Sequence, residues 1–249
     1  MKRSLWTQPL TKQSSPAWPC PACASGTLAF VPNSFVEKET VESKQTYKIL
    51  GEPESITYTF SAWLKCSYGN CGEKVAVIGV GKVIATGALD SDEELNEGGP
   101  PSPEYQTIYQ PLFCWPMLDM FELPEKCPDK IKLELQAGFR LFWLDQAASA
   151  GRLRVSLERL MDHCRVPQHL GLHKRIEKFS EKDSVAGEKL MALKWLGNTG
   201  SHQSNVSRDD LLDGFEILEF LVAELFDKRT DRVTKLARQI SKKHKSRRK

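Results

Sequence analysis

Two groups of residues in this chain have the types and spacing to do chemistry. The first is a quartet of cysteines. Cys20 and Cys23 enclose Pro21 and Ala22, and Cys66 and Cys71 enclose Ser67, Tyr68, Gly69 and Asn70. A Cys-x-x-Cys turn presents two sulfurs on one side of a tight knuckle. Two knuckles held apart by a β-type segment supply the four soft ligands of a tetrahedral zinc site. Sulfur would fill every position and leave none open for water, so the expected ion is structural Zn2+. It would add folding energy that a small N-terminal segment lacks in its own core. Gly69 can relax the backbone of the longer knuckle. Four incidental thiols are the alternative. A thioredoxin-type redox role does not fit, because Cys20 does not stand at the strand-to-helix junction of a βαβ unit.

The second group is the string Lys194-Trp195-Leu196-Gly197-Asn198-Thr199-Gly200-Ser201-His202. Its glycines and asparagine predict a helix end at Gly197 and a polar turn that brings Lys194, Asn198 and His202 together. Such a trio could bind a phosphate, with His202 as the acid/base group because its unperturbed pKa lies near neutrality. The other reading is a Gly-Asn helix stop whose histidine packs locally.

Different elements must position the two groups. Thr27–Val31, Ser55–Phe60 and Lys74–Ile78 are rich in β-branched and aromatic residues and read as strands, with Trp63 and Lys65 leading a strand into Cys66. Residues 89–103 combine acids with glycine and proline and read as an exposed linker. Beyond it the apolar period lengthens to that of helices. Helices are expected from Pro128-Asp129 through Trp143, from Ala147 to Cys164, near Leu170 to Phe179, from Ser184 to Gly197, and after Ser207. Ser207-Arg208-Asp209-Asp210 has the pattern of a capping box with Asp in place of Glu. Five helices with short connections make an α-bundle. Phe139, Phe142, Trp143 and Trp195 are expected in its core. Arg152, Arg154 and Arg159 read first as a solvated helix face, with contact to a partner or to phosphate as the alternative. His163, His169 and His173 lack metal-site spacing.

The composition fits a soluble globular chain of 249 residues with 27% charged residues. No apolar run reaches membrane-spanning length, and the N-terminus lacks a secretory h-region. Seven cysteines, three of them scattered singly at Cys114, Cys127 and Cys164, do not form a disulfide framework, so a reducing cytoplasm is expected. The net charge of +3 conceals a basic end: residues 235–249 hold eight lysines and arginines and no acid. Within it Lys242, Lys243, Lys245, Arg247, Arg248 and Lys249 could contact nucleic-acid phosphates, or form a solvated, disordered end.

Residues from about Pro111 to Leu225 resemble the bacterial domain-of-unknown-function family 4145. The resemblance rests on Phe121–Pro128, on Ala148–Leu160 and on the Gly197–His202 string. It implies a HEPN-like helical bundle. The wider HEPN group includes metal-independent RNA endonucleases that act as dimers and occur in bacterial defence settings. Carried over by position, His202 would be the catalytic histidine, Asn198 its polar neighbour, and Lys194 would stand where an arginine is usual. RNA supplies its own nucleophile, the 2′-hydroxyl, so no catalytic metal is required.

The expected architecture is therefore α+β: an N-terminal β-type zinc ribbon (residues 1–88), a linker (89–110), a C-terminal HEPN-like α-helical bundle (111–230) and a basic tail (231–249). The expected function is nucleic-acid binding, RNA favoured, in a bacterial defence system. The alternatives are a metal-independent endoribonuclease using His202 and a non-catalytic interaction module of a larger complex. The expected partners are nucleic acid or a defence-complex protein, in a homodimer with no membrane association.

Overall fold

A computed structural model describes residues 1–86, 104–202 and 206–245. The chain is α+β, with an antiparallel sheet in its N-terminal half and helices in its C-terminal half. It divides into two units, Arg3–Leu118 and Asp119–Lys249, the latter with Met1–Lys2.

The first unit runs α1 (Ser4–Thr7), β1 (Leu28–Phe30), β2 (Val36–Glu39), α2 (Val41–Leu50), β3 (Thr57–Cys66), β4 (Lys74–Thr86) and β5 (Glu104–Trp115). The sheet order is β1-β3-β4-β5, and β2 shares the β1 edge of β3. Every pairing is antiparallel, with Leu28 opposite Cys66, Val36 opposite Ser61, Ala62 opposite Val77 and Val77 opposite Cys114. The period of two decides which side chains enter the core. Phe60, Ala62, Leu64 and Cys66 of β3 are buried, whereas Thr59, Ser61, Trp63 and Lys65 face out. Val75 and Val77 of β4 and Tyr109 of β5 join the buried face, with Leu10, Trp18 and Leu28. Phe35 stacks on Phe60, and the Tyr109 hydroxyl donates to the Glu37 carboxylate.

The ladder between β4 and β5 shifts register at Ile78/Gly79, and Leu112 is the extra residue. The bulge accommodates Pro111, which cannot donate to the ladder. It also explains Gly79, where a Cβ would stand 2.0 Å from the Gln110 carbonyl oxygen.

Two features of this unit differ from expectation. Strand β5 occupies residues assigned to the linker and the start of the bundle; its alternation is blurred by the bulge and by polar Gln106, Thr107 and Gln110. The linker itself, 89–103, lies outside the described residues. Helix α2 falls within the stretch read as strands. It buries only Ser43, so it has no apolar stripe, and its ends are set by local bonds instead. Thr40 caps its start by accepting from the Ser43 amide at 3.1 Å, and Gly51 ends it in the left-handed region.

The second unit contains α3 (Asp129–Leu141), α4 (Gln146–His163), α5 (Leu172–Ser180), α6 (Ser184–His202), α7 (Arg208–Val222) and α8 (Arg229–Lys245), with a π-helical turn at Ala223–Asp227. Helix α4 packs on α3 and α6, α5 on α6, and α7 on α6 and α4. Asp145 caps α4 by accepting from the Ala148 amide at 2.8 Å. The capping box of α7 forms as read: Ser207 accepts from the Asp210 amide, and Asp210 accepts from the Ser207 amide. The core joins Leu135, Phe139 and Phe142 to Leu153, Leu157, Leu193 and Phe215. Each such side chain stabilises the fold by about 1.5–3 kcal/mol relative to exposure.

The helix expected to end at Gly197 continues to His202. Gly197 is an interior contact, not a stop. A Cβ there would lie 2.5 Å from Cβ of Arg154 and 3.2 Å from the Ala150 carbonyl oxygen, so the missing side chain is what lets α6 lie against α4. Trp195, expected in the core, is 56% exposed. The basic end, as far as Lys245, is helix α8 and not a structureless tail.

Two glycines test this packing. Gly197→Ala should destabilise by about 1–3 kcal/mol through overpacking. Gly151→Ala, in α4 with nothing near its Cβ position, should stabilise by about 0.5–1 kcal/mol. Urea denaturation of the two variants reads the opposite signs.

Candidate functional site

The four cysteines converge. Their sulfurs all lie within 4.8 Å of one another. Cys20 and Cys71 are 3.7 Å apart, as are Cys23 and Cys66. Four thiolates at about 2.3 Å from a shared ion in a tetrahedron would stand about 3.8 Å apart, so the quartet fits one metal ion.

Local structure explains the convergence. In the first knuckle the Cys20 amide donates to the Gly26 carbonyl and the Ala24 amide to the Cys20 carbonyl, both at 2.9 Å, with Ala24 left-handed at φ 51°. In the second, Cys66 ends β3, its amide donates to the Glu73 carbonyl at 2.9 Å, and the Tyr68 amide points at the Cys66 sulfur at 3.4 Å. Thr27 and Ser67 tie the knuckles together, through Ser67 N–H to the Thr27 carbonyl at 2.8 Å and Thr27 N–H to Ser67 Oγ at 3.0 Å. The glycine that turns the second knuckle is Gly72, at φ 69°, and not Gly69. Gly26 matters for a different reason. A Cβ there would stand 2.4 Å from the Cys66 sulfur, so only glycine lets the loop before β1 pass behind that sulfur. Burial pushes the Cys66 thiol up to about 12, while a hydrogen bond from the Gly26 backbone helps bring Cys23 down to about 7. Burial of a neutral thiol is the state that a cation reverses. Cys114 and Cys127 are buried and Cys164 partly so, each away from the quartet.

The Lys194 group is built differently from the expected turn. Lys194 and Asn198 stand one helical turn apart on α6, and His202 occupies the position a further turn along, the spacing of one helix face. The His202 side chain lies outside the described residues. Asn198 Oδ1 accepts from Nε of Arg154 on α4 at 3.0 Å, and Arg154 also bonds Glu158 at 2.9 Å. Lys194 is only 8% exposed. Its ammonium lies 3.5 Å from the centre of the Trp195 ring and has no carboxylate partner among the described residues.

Arg154, Lys194 and Asn198 line an open cavity of about 430 Å³ with His169, His173, Lys174 and the Gly171-Leu172 start of α5. Among the described residues no acidic side chain lines it. Gly171 caps α5 without a side-chain bond, so the first amides of that helix add their partial positive charge to the same space. The arrangement can hold an anion between fixed donors. A larger cavity of about 910 Å³ has the opposite character, with Glu122, Glu125, Glu216, Glu219, Glu224 and Asp227 on its walls.

Sequence reasoning reached Lys194 and Asn198 and raised phosphate contact for Arg154 only as the alternative to a solvated face; it considered His169 and His173 only as metal ligands and gave Lys174 no role. Their signal is the fold itself, since three helices contribute. Lys242 and Lys243 lie exposed on α8. The side chain of Lys245, with Arg247, Arg248 and Lys249, lies outside the described residues.

Residues 8–114 match the family model described as Domain of unknown function (DUF8608), and residues 136–246 match Domain of unknown function (DUF4145). The first match contains all four cysteines. The second is the family that the helical motifs resemble. It starts within α3, so Phe121–Pro128 falls outside it, and it extends into α8. No curated protein and no solved structure matches the chain. Among the described residues no helix is long and apolar enough to cross a membrane.

The sulfur centre should carry one metal ion per chain by elemental analysis. Cys66→Ser, and Gly26→Ala with all four thiols intact, should each lose it, and acidification should release it as the thiols regain protons.

Proposed function

We propose that this is a zinc-containing protein that binds nucleic acid, RNA favoured, at the cavity between α4, α5 and α6. The observation that carries the reading is Lys194: a lysine only 8% exposed, with its ammonium on the Trp195 ring and no carboxylate partner among the described residues, beside Arg154 and the open start of α5. A cation with little access to water and no counter-ion favours an anion beside it, and a phosphate entering the cavity would supply one. Arg154 keeps one edge on Glu158 and Asn198 and is thereby held in place for a phosphate oxygen. The sulfur quartet would hold Zn2+ as a structural ion, because four thiolates suit its softness and leave no open position. RNA is favoured because the helical motifs resemble a HEPN-like family, whose defence setting and dimeric state would extend to this chain. Lys242 and Lys243 on α8 would add sequence-blind phosphate contacts.

A second reading, metal-independent RNA cleavage, is supported by the position of His202 on the Lys194–Asn198 face. The histidine would take the proton of the 2′-hydroxyl and Lys194 would offset charge growing on the phosphate.

Arg154→Gln and Lys194→Met should each weaken binding of a fluorescent RNA by about tenfold or more, since hydrogen bonds to charged groups are worth about 1.5–3 kcal/mol. Unchanged affinity in both variants would remove the cavity from the function. Incubating the protein with RNA in EDTA decides the second reading: cleavage that His202→Ala abolishes supports it, and intact RNA overturns it.

A further inference from the structure

The outward face of the sheet carries a pattern that neither the metal centre nor the helical cavity explains. In one cross-strand row Trp63 of β3, Ala76 of β4 and Trp115 of β5 lie side by side. Trp63 is 50% exposed and Trp115 57%. In the next row Ile78 and Phe113 are also exposed, beside Val36 and Ser61. Lys65 faces Lys74 on one side of this patch. Lys38 and Lys82 follow on the other side, opposite Thr59 and Thr57.

Each part of this pattern costs stability. Two indoles half in water forfeit burial, and the apolar cluster exceeds the singly scattered residues normal on a surface. Two lysines directly opposite repel each other. None of the four lysines is in an ion pair with another described residue. The rows from Lys65 to Lys82 contain no acid, because Glu37 and Glu39 of β2 point the other way, toward Tyr109 and Ser43. Neither Trp63 nor Trp115 stacks on another ring among the described residues.

We propose that this face is a platform for single-stranded nucleic acid, with unpaired bases stacking on Trp63 and Trp115 and phosphates passing Lys65, Lys74, Lys38 and Lys82. The two indoles stand two strand spacings apart, about 10 Å, and the small Ala76 leaves the space between them open. Every base has a π-face, so such stacking needs unpaired bases and no particular sequence. Aromatic rings interleaved with acid-free lysines fit this ligand by charge as well as by shape. A protein partner of mixed charge would leave the opposed lysines unmatched. The inference shares its ligand class with the proposed function but uses a separate surface, so the two can fail separately.

The test titrates the full-length protein with oligouridylate, oligothymidylate and an RNA duplex of equal length, following tryptophan fluorescence and anisotropy. Both single strands should quench the fluorescence and the duplex should bind more weakly; a preference between the two single strands tells RNA from DNA. Trp63→Ala and Trp115→Ala should each weaken single-strand binding by about tenfold, while Trp63→Phe and Trp115→Phe retain most of it. Lys65→Gln with Lys74→Gln should flatten the salt dependence by about two phosphate contacts. If the Trp→Ala variants bind like the parent while Arg154→Gln loses affinity, the platform is overturned and the helical cavity stands. Loss on Trp→Ala with Arg154→Gln unaffected supports the platform alone. Equal binding of duplex and single strand, or tryptophan variants that only change the mass measured by light scattering, would also overturn it.

Discussion

Four sulfur atoms meeting at one point are the constraint on which the N-terminal unit depends. Thiolates repel one another, and buried neutral thiols gain little from proximity, so packing alone gives no reason for the convergence. A cation would give one: held by the quartet, it would join the loop before β1 to the turn after β3 and so close a sheet whose β1 edge is only three residues long. The period of two then extends the effect along β3: with Cys66 facing inward, Leu64, Ala62 and Phe60 face inward too, and Trp63 and Lys65 must face out. The convergence of the sulfurs and the exposed face are two consequences of one register.

Much of this was legible in the sequence, and the reasons are local. Cys-x-x-Cys spacing, the Ser207 capping box and the apolar period of α4 each act within a few residues, so each could be read directly. What escaped depends on partners distant in sequence. Strand β5 carries polar residues and a bulge, and gains its identity from pairing with β4. Helix α2 has no buried stripe, and only its Thr40 cap and Gly51 stop announce it. Gly197 looked like a terminator because glycine is a poor helix former. It stays in the helix because contact with α4 outweighs about 1 kcal/mol of propensity. Gly26 carried no signal at all until the Cys66 sulfur was found behind its Cα.

The same distinction governs the helical cavity. Lys194 and Asn198 were picked out together, but through an expected turn, whereas a continuous helix aligns them at intervals of four. That change brings in Arg154, which the sequence shows only as one of several charges on α4. It also brings in the start of α5, whose missing cap is invisible in a Gly-Leu pair. Three helices each supply a modest positive feature, and the cavity sums them although Glu158 holds one side of Arg154. The acidic groove elsewhere in the same unit shows that this is arrangement and not bulk charge, because one helical unit holds both signs in separate hollows.

The sheet makes a parallel case. A strand with a buried face ordinarily spends its other face on small polar residues, as Thr57, Thr59 and Ser61 do at one end of β3. At the other end the outward positions become Trp63 and Lys65, and β4 and β5 answer with Lys74, Ile78, Phe113 and Trp115. Strand propensity accounts for an aromatic residue at any one of these positions. It does not account for aromatic residues and unpaired lysines meeting from three strands in adjoining rows. Their proximity is created by register, just as the convergence of the sulfurs is. The ladder that turns Cys66 toward the other three sulfurs turns Trp63 toward solvent, so an ion held by the quartet would also hold the aromatic face of β3 in place.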